Sequence, residues 1–303
     1  MSGYVITLDK LTRPTILNNY QKRMKQFKKI MIVTDKFVFI HLHKAGGSFV
    51  RKVIVKLFPL AKQIGYHFPL EMLPSEYRHL PVLGVVRNPW EFYVSYYAFQ
   101  TSLIAKFQSE WEQRSAVEYD SLVRNGIDPR NGIDILFDVF AEESQVSFPR
   151  ITSQLLNLST SEKILDKILE VMPTELNRRG KYTPIQCLNF RGKNVTKKML
   201  EKIRGTNEGY CTFLFKHMYG TGENIFFAKQ ENLRSDLLSF FEHIGVSLEP
   251  QMKNYILTAS PENSSHHHSY ADYYTQDLAH LVQQKDAFLI ERFGFSNVEM
   301  VRP

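Results

Sequence analysis

The chain has 303 residues, of which 43% are hydrophobic and 23% are charged, so it can bury a core as one large domain or two small ones. Its formal net charge of +7 favours anionic ligands in general. The cations are spread along the chain, however, which argues against a nucleic-acid-binding module with clustered cations and stacking aromatic rings. Only Cys187 and Cys211 occur, so no disulfide framework is indicated and a reducing, cytoplasmic location fits.

The N-terminal part predicts neither a targeting signal nor a membrane span. The first ten residues lack a basic region followed by an apolar core, and no apolar run in the chain approaches membrane-spanning length. Residues 1–29 are interpreted as a peripheral arm, in which the basic stretch 20–29 is expected to be a solvated surface segment. Residues 30–33 are expected to add a strand before the first main strand.

The first informative stretch is residues 37–57. An aromatic and branched run at 37–42 predicts a buried strand, and Lys44, Gly46 and Gly47 follow it at once. From Ser48 onward the apolar positions recur at helical spacing. A strand, a glycine turn and a helix point free backbone N–H groups at an anion, and the lysine adds a point charge. The stretch therefore predicts an anion-binding loop.

The second informative stretch begins with the continuous apolar run 82–86, which predicts a central parallel strand. Asn88 suits the N-cap of the next helix and Pro89 its first position. Arg87 is thus expected at the carboxyl end of a strand, where open α/β sheets bind ligands, with Ser95 about two turns into the helix. An arginine fork and a serine hydroxyl are suitable partners for a phosphate monoester.

Together the two stretches resemble the sulfotransferases that use 3′-phosphoadenylyl sulfate (PAPS), most closely the carbohydrate-type and bacterial group. Lys-Ala-Gly-Gly-Ser resembles their 5′-phosphosulfate loop, and Arg-Asn-Pro-x-x-x-x-x-Ser-x-Tyr resembles their 3′-phosphate motif, in the same order and about 40 residues apart. The resemblance implies that the donor's 5′-phosphosulfate is held by Lys44, Ala45, Gly46, Gly47, Ser48 and Phe49, and its 3′-phosphate by Arg87 and Ser95. One departure is Phe92, where many members have a second arginine.

The resemblance also implies a catalytic pair. Lys44 is expected to stabilise the leaving group, and His67 matches the place, just past the second strand, where family members often carry the base for the acceptor hydroxyl. His41 is interpreted as a core residue, and His43, next to Lys44, is a rival candidate for the site. Tyr270 belongs to a segment resembling the family's Asn-x-Ser…Tyr-x-x-Tyr-Tyr stretch, which often closes over the nucleotide. The three adjacent histidines at 266–268 do not have the spacing of zinc ligands, and no metal is predicted.

The rest of the chain is interpreted as scaffold and acceptor region. Residues 101–222 are expected to form a helical insertion that supplies much of the acceptor lid. Helical patterns occur at 116–123, 134–142, 162–171, 196–204 and 210–219, followed by a strand at 224–229, a helix that Gly245 ends, and one last helix at 277–293. The family resemblance covers residues 36–99 and 224–295.

These observations predict a single α/β domain spanning residues 1–303, with a mainly parallel central sheet of about four or five strands flanked by helices. The resemblance implies a P-loop NTPase-like sulfotransferase fold. The predicted function is transfer of a sulfuryl group from PAPS to a hydroxyl of a sugar or small molecule, releasing adenosine 3′,5′-bisphosphate (PAP). The identity of the acceptor stays open, including an amine.

Two other classes stay open at this point. A nucleotide or small-molecule kinase would need Gly-x-x-x-x-Gly-Lys-Ser/Thr, but here Lys44 precedes both glycines, and no magnesium-binding aspartate is evident. A nucleic-acid-binding module would bind with a steep salt dependence. We expect no nucleic-acid partner and no membrane-spanning segment.

Overall fold

The computed structural model describes residues 31–64, 67–111, 146–171, 200–261 and 269–296. Within them, five strands form one open sheet in the order β3-β1-β2-β4-β5. The strands are β1 (Met31–Val33), β2 (Val38–Phe39), β3 (Lys62–Ile64), β4 (Val82–Val86) and β5 (Ile225–Lys229). The α/β class is therefore confirmed, as are the strands expected at 30–33, 82–86 and 224–229 and the second strand expected just before His67.

The sheet is mixed, so the expectation of a mainly parallel sheet is only partly correct. The β2–β4 and β4–β5 pairs are parallel, whereas β1 is antiparallel to both β2 and β3. The reason is the connection between β1 and β2, which is a tight turn and far shorter than any parallel crossover. The Thr34 hydroxyl oxygen accepts the N–H groups of Lys36 (3.1 Å) and Phe37 (2.8 Å) and so closes this turn. The added strand lies inside the sheet, between β2 and β3.

Nine α-helices surround the sheet in the described part of the chain. They are α1 (Gly47–Leu57), α2 (Pro89–Trp111), α3 (Phe148–Leu156), α4 (Glu162–Val171), α5 (Tyr210–Tyr219), α6 (Leu233–His243), α7 (Pro250–Thr258), α8 (Gln276–Lys285) and α9 (Ala287–Phe293). Asn88 caps α2 as expected, because its Oδ1 accepts the Trp90 N–H at 3.1 Å. The patterns at 116–123 and 134–142 lie outside the described residues, as do the first four residues of the pattern at 196–204.

Alternating aromatic residues on β5 fix the layers on the two faces of the sheet. Phe226 packs against Phe240 of α6, with ring centroids 5.3 Å apart, while the next residue, Phe227, packs against Tyr219 of α5 at 5.0 Å. Successive side chains of a strand point to opposite faces, so α6 and α5 cover opposite sides of the sheet. The core is thus built from aromatic contacts on both faces.

Tyr219 also explains why β2 is shorter than the apolar run 37–42. Its buried hydroxyl lies 3.0 Å from the Ile40 carbonyl oxygen and 3.1 Å from the Val85 carbonyl oxygen, and it accepts the Val85 N–H at 3.1 Å. The Ile40 N–H still donates to the Leu83 carbonyl oxygen at 3.0 Å, so the phenol replaces the ladder hydrogen bonds only beyond that bond. The carboxyl ends of β2 and β4 part there, next to the loop that follows β2.

The last helix is interrupted, which corrects the expectation of one helix at 277–293. The break falls at Asp286, whose side chain is fully buried and turned inward. Its carboxylate accepts the Tyr93 hydroxyl at 2.7 Å, the Thr212 hydroxyl at 2.7 Å and the Thr212 N–H at 2.8 Å. Burial raises the pKa of Asp286 to about 6, although these hydrogen bonds oppose the shift. The carboxyl group joins the C-terminal helices to α2 and α5.

In the part of the chain that the structure describes, no helix combines the length and the apolar character needed to cross a bilayer.

Candidate functional site

The loop between β2 and α1 has the bare backbone that its glycines predict. Gly46 has φ +80°, and a Cβ atom there would lie 2.8 Å from Leu233 Cδ2. A Cβ atom on Gly47 would lie 1.9 Å from the His41 ring, which is closer than real atoms come. Lys44 also has a positive φ of 60°, which is uncommon for a residue with a side chain. The close packing and the positive φ of Gly46 require glycine at both positions.

The N-terminus of α1 is the part of this loop that suits an anion. The Gly46 carbonyl oxygen accepts the Phe49 N–H at 3.0 Å, and no side chain caps the helix. The Gly47 N–H group precedes this first bond, at the end of the helix where backbone N–H groups point outward. The side chains of Ala45 and Phe49 are buried, so these two predicted donor-binding residues can contact a ligand only through their backbone.

Arg87 directly connects two of the predicted motifs. It follows β4 and therefore lies at the carboxyl edge of the sheet, beside the loop that follows β2. Its Nη1 donates to the Lys44 carbonyl oxygen at 3.0 Å, and its Nη2 donates to the Tyr270 hydroxyl at 2.7 Å. The structure thus brings Lys44, Arg87 and Tyr270 together, although they are distant in the sequence.

Glu91 is a member of this cluster that the sequence interpretation missed. Arg87 Nε donates to Glu91 Oε2 at 3.2 Å, and the two side chains are 9% and 22% exposed. Burial raises the pKa of the neighbouring Glu231, and the Glu91 charge raises it further. The i,i+4 spacing of Arg87 and Glu91 at a helix start is the sequence signal that could have predicted this pair. Glu91 holds the guanidinium on one side, while Lys44 and Tyr270 hold it on the others.

The Lys44 side chain lies over Phe99, with Nζ 4.3 Å from the ring centroid. Burial and, to a smaller extent, the Arg87 charge lower the pKa of Lys44 to about 8. An ammonium group with a lowered pKa is stabilised by an incoming anion, because the anion replaces the lost hydration. Phe99 was not predicted, since no sequence pattern links position 99 to position 44.

His67 lies against the same loop. Its ring is buried and stacks on His43, with centroids 3.8 Å apart, and its Nδ1 lies 2.9 Å from the His41 carbonyl oxygen. A carbonyl oxygen only accepts, so Nδ1 carries a proton, and in the neutral ring Nε2 is the basic nitrogen. That tautomer has its basic nitrogen away from the backbone. The positive φ of 49° is how the chain turns the ring inward.

His41 is a core residue, as the sequence indicates. Burial lowers the pKa of His41 well below its ordinary value, and the nearby His67, Lys44 and Arg51 lower it further. Its Nδ1 is buried without a hydrogen-bond partner. The three imidazoles are stacked or tilted against one another and do not converge on one point. Within the described ranges, no group of three His, Cys, Asp or Glu residues could hold a metal ion.

Ser95 is not joined to this cluster by a hydrogen bond in the structure. It lies on the inner side of α2 and is only 2% exposed. The described partners of Arg87 are Glu91, Lys44 and Tyr270 instead. Phe92 is 1% exposed and packs on Tyr93, with ring centroids 5.4 Å apart. This packing explains the departure at position 92, because an arginine there would be buried in the core.

A surface depression of about 430 Å³ lies elsewhere, at the far end of α6. It is lined by Leu238, Phe241, Gly245, Val246, Leu248 and Lys253. The opposite end of α6 carries Leu233, which packs on Gly46, and an 11-residue helix spans about 16 Å. The depression is therefore separate from the anion loop.

Comparison with known proteins found no family model, curated protein or solved structure that matches this chain. The structure by itself defines an α/β protein with an open, mixed sheet and a cationic cluster at the carboxyl edge of β2 and β4.

Proposed function

We propose that the protein transfers a sulfuryl group from PAPS to a hydroxyl of a sugar or another small molecule. The observation that carries the proposal is the hydrogen bond from Arg87 to the Lys44 carbonyl oxygen. It joins the two stretches that the sequence assigns to the two anionic ends of the donor. A PAPS molecule carries a 5′-phosphosulfate and a 3′-phosphate, so it requires two adjacent anion sites of this kind.

The donors available in the cluster support this assignment. The glycine backbone and the helix N-terminus suit the phosphosulfate, and Lys44 adds a charge beside them. The three contacts of Arg87 use three of the five N–H donors of a guanidinium, which leaves donors for a phosphate oxygen. Tyr270, hydrogen-bonded to the same guanidinium, is suitably positioned to close this side of the donor site.

The proposed chemistry is an in-line displacement at sulfur. His67 Nε2 takes the proton of the acceptor hydroxyl, and the acceptor oxygen forms a bond to sulfur. The bond from sulfur to the bridging oxygen breaks, and its electron pair stays on the leaving PAP. The Lys44 ammonium stabilises the negative charge that develops on that oxygen. Because the His67 ring is buried, the proposal requires the acceptor to approach Nε2 past the residues that cover the ring.

Ligand stabilisation tests the proposal directly. PAP should raise the melting temperature much more than adenosine 5′-phosphate, and ATP with magnesium should have the weakest effect of the three. At a free ligand concentration of a hundred times Kd, binding stabilises the folded protein by about 2.7 kcal/mol. A screen of hydroxyl and amine acceptors with labelled PAPS would then identify the substrate. If ATP with magnesium stabilises the protein more than PAP does, the kinase alternative replaces this proposal.

A further inference from the structure

All the charged side chains of α1, the turn after it and β3 are cationic. Residues 47–64 contain four cations and no acidic residue. The cations are Arg51, Lys52, Lys56 and Lys62. Arg51 Nε donates to Gln63 Oε1 at 3.3 Å, which ties the helix to the edge strand. The nearby Asp35 lies 3.9 Å from Lys36, so a neighbouring lysine offsets its charge. This surface, with Val55 and Leu60, is called the α1–β3 face below.

The same face exposes large apolar side chains. Leu60 is 93% exposed at the turn between α1 and β3, and Val55 is 37% exposed on α1. Leu257, 52% exposed, lies on the neighbouring α7. The Lys56 ammonium lies 4.0 Å from the centroid of the Tyr255 ring, so α1 and α7 meet at this pair of side chains. These three residues are the exposed large hydrophobics of the described chain, and all belong to two adjacent helices or their flanking turn.

We propose that the α1–β3 face docks on an anionic lipid bilayer. Leu60 lies between Lys56 and Lys62 in the sequence, and all three are exposed. An apolar side chain at the tip of a turn can enter the acyl boundary while the flanking ammonium groups contact lipid phosphates. A soluble polyanion would use the cations but would gain nothing from Leu60.

Docking at this face would leave the anion loop open. Leu60 follows the C-terminus of α1, whereas Gly46 and Gly47 lie at its N-terminus. Eleven helical residues separate the two ends by about 16 Å. The proposal does not depend on the chemistry of the site, so it stands or falls independently of the sulfotransferase proposal.

Co-sedimentation with vesicles tests the docking. The full chain should bind phosphatidylcholine vesicles that contain phosphatidylserine, and binding should be lost with phosphatidylcholine alone and weaken as salt increases. Leu60→Ser should lower the partition coefficient about tenfold. The double variant Lys56→Gln/Lys62→Gln should lower it on the order of twentyfold, since each cation contributes roughly fivefold. Leu60→Trp should show a blue-shifted emission when anionic vesicles are added.

A matched control separates docking from general charge. Lys163 and Lys202 are exposed and lie on other elements, so Lys163→Gln/Lys202→Gln changes the net charge equally without altering the face. This control should bind vesicles as the unchanged protein does, and all variants should keep its melting temperature. The proposal is overturned if anionic vesicles do not bind at low salt. It is equally overturned if the control pair weakens binding as much as the Lys56/Lys62 pair, or if Leu60→Ser has no effect, since the face would then be a site for a soluble polyanion.

Discussion

The lowered pKa of Lys44 makes the pH dependence of donor binding a test of the site. Because the pKa is about 8, the ligand-free ammonium form falls from about 90% at pH 7 to about 10% at pH 9. An ordinary lysine stays almost fully protonated over this range. In the proposed site PAP binds the ammonium form, so its apparent affinity should fall roughly tenfold from pH 7 to pH 9, which corresponds to about 1.4 kcal/mol. The phosphate groups, with a second pKa of about 6, do not titrate in this window.

Isothermal titration calorimetry measures both parts of this expectation. Titrations in buffers of different ionisation enthalpy should show an uptake of about half a proton at pH 8, because binding raises the pKa of a group that is then half protonated. Lys44→Arg keeps its charge throughout and should bind with a flat profile from pH 7 to pH 9. The reasoning is refuted if the unchanged protein has a flat profile, or if Lys44→Gln retains the same slope, since another group would then titrate.

Three further predictions address other parts of the molecule. Arg87→Ala should weaken the binding of PAP much more than the binding of adenosine 5′-phosphate, because it removes a charge-assisted contact worth about 1.5–3 kcal/mol. Equal losses of affinity for the two nucleotides would show that Arg87 does not bind the 3′-phosphate. His67→Ala should lower turnover while scarcely changing PAP affinity, with a smaller loss on an acidic nitrophenol; near-normal turnover on an alkyl hydroxyl would point to His43 instead. Asp286 has a pKa raised from 3.8 to about 6 on folding, so the free energy of unfolding should fall by about 3 kcal/mol as pH rises from well below 3.8 to well above 6. Asp286→Asn should abolish that slope in urea melts, and an unchanged slope would assign it to another carboxyl group.

The local elements of the site were predictable because their signals lie close together in the sequence. The apolar run before Lys44, the glycine pair after it, and Asn88 with Pro89 each act over a few residues. The structure has α1 and α2 beginning where these signals occur. The break at Asp286 was not predictable, because the partners of its carboxyl group are on α2 and α5, far away in the chain.

The position of β1 in the sheet shows the same distinction between local and distant signals. The sequence predicted a strand before the first main strand, but its insertion between β2 and β3 depends on pairings such as Met31 with Ile64. Strand propensity is local, whereas the choice of a neighbouring strand is decided by which edges are available after the chain has packed. The expectation of a mainly parallel sheet was wrong at this strand.

The sequence by itself determined which residues can serve an anion site: the bare glycine backbone, the lysine, and an arginine at a strand end. The tertiary structure decided how they meet. It brought Arg87 to the Lys44 carbonyl oxygen, added Glu91 and Tyr270 around the guanidinium, and turned His67 against the His41 carbonyl oxygen. Chemical capacity resides in individual side chains and their near neighbours. Burial, pKa and hydrogen-bond geometry arise only when distant segments pack together and exclude water.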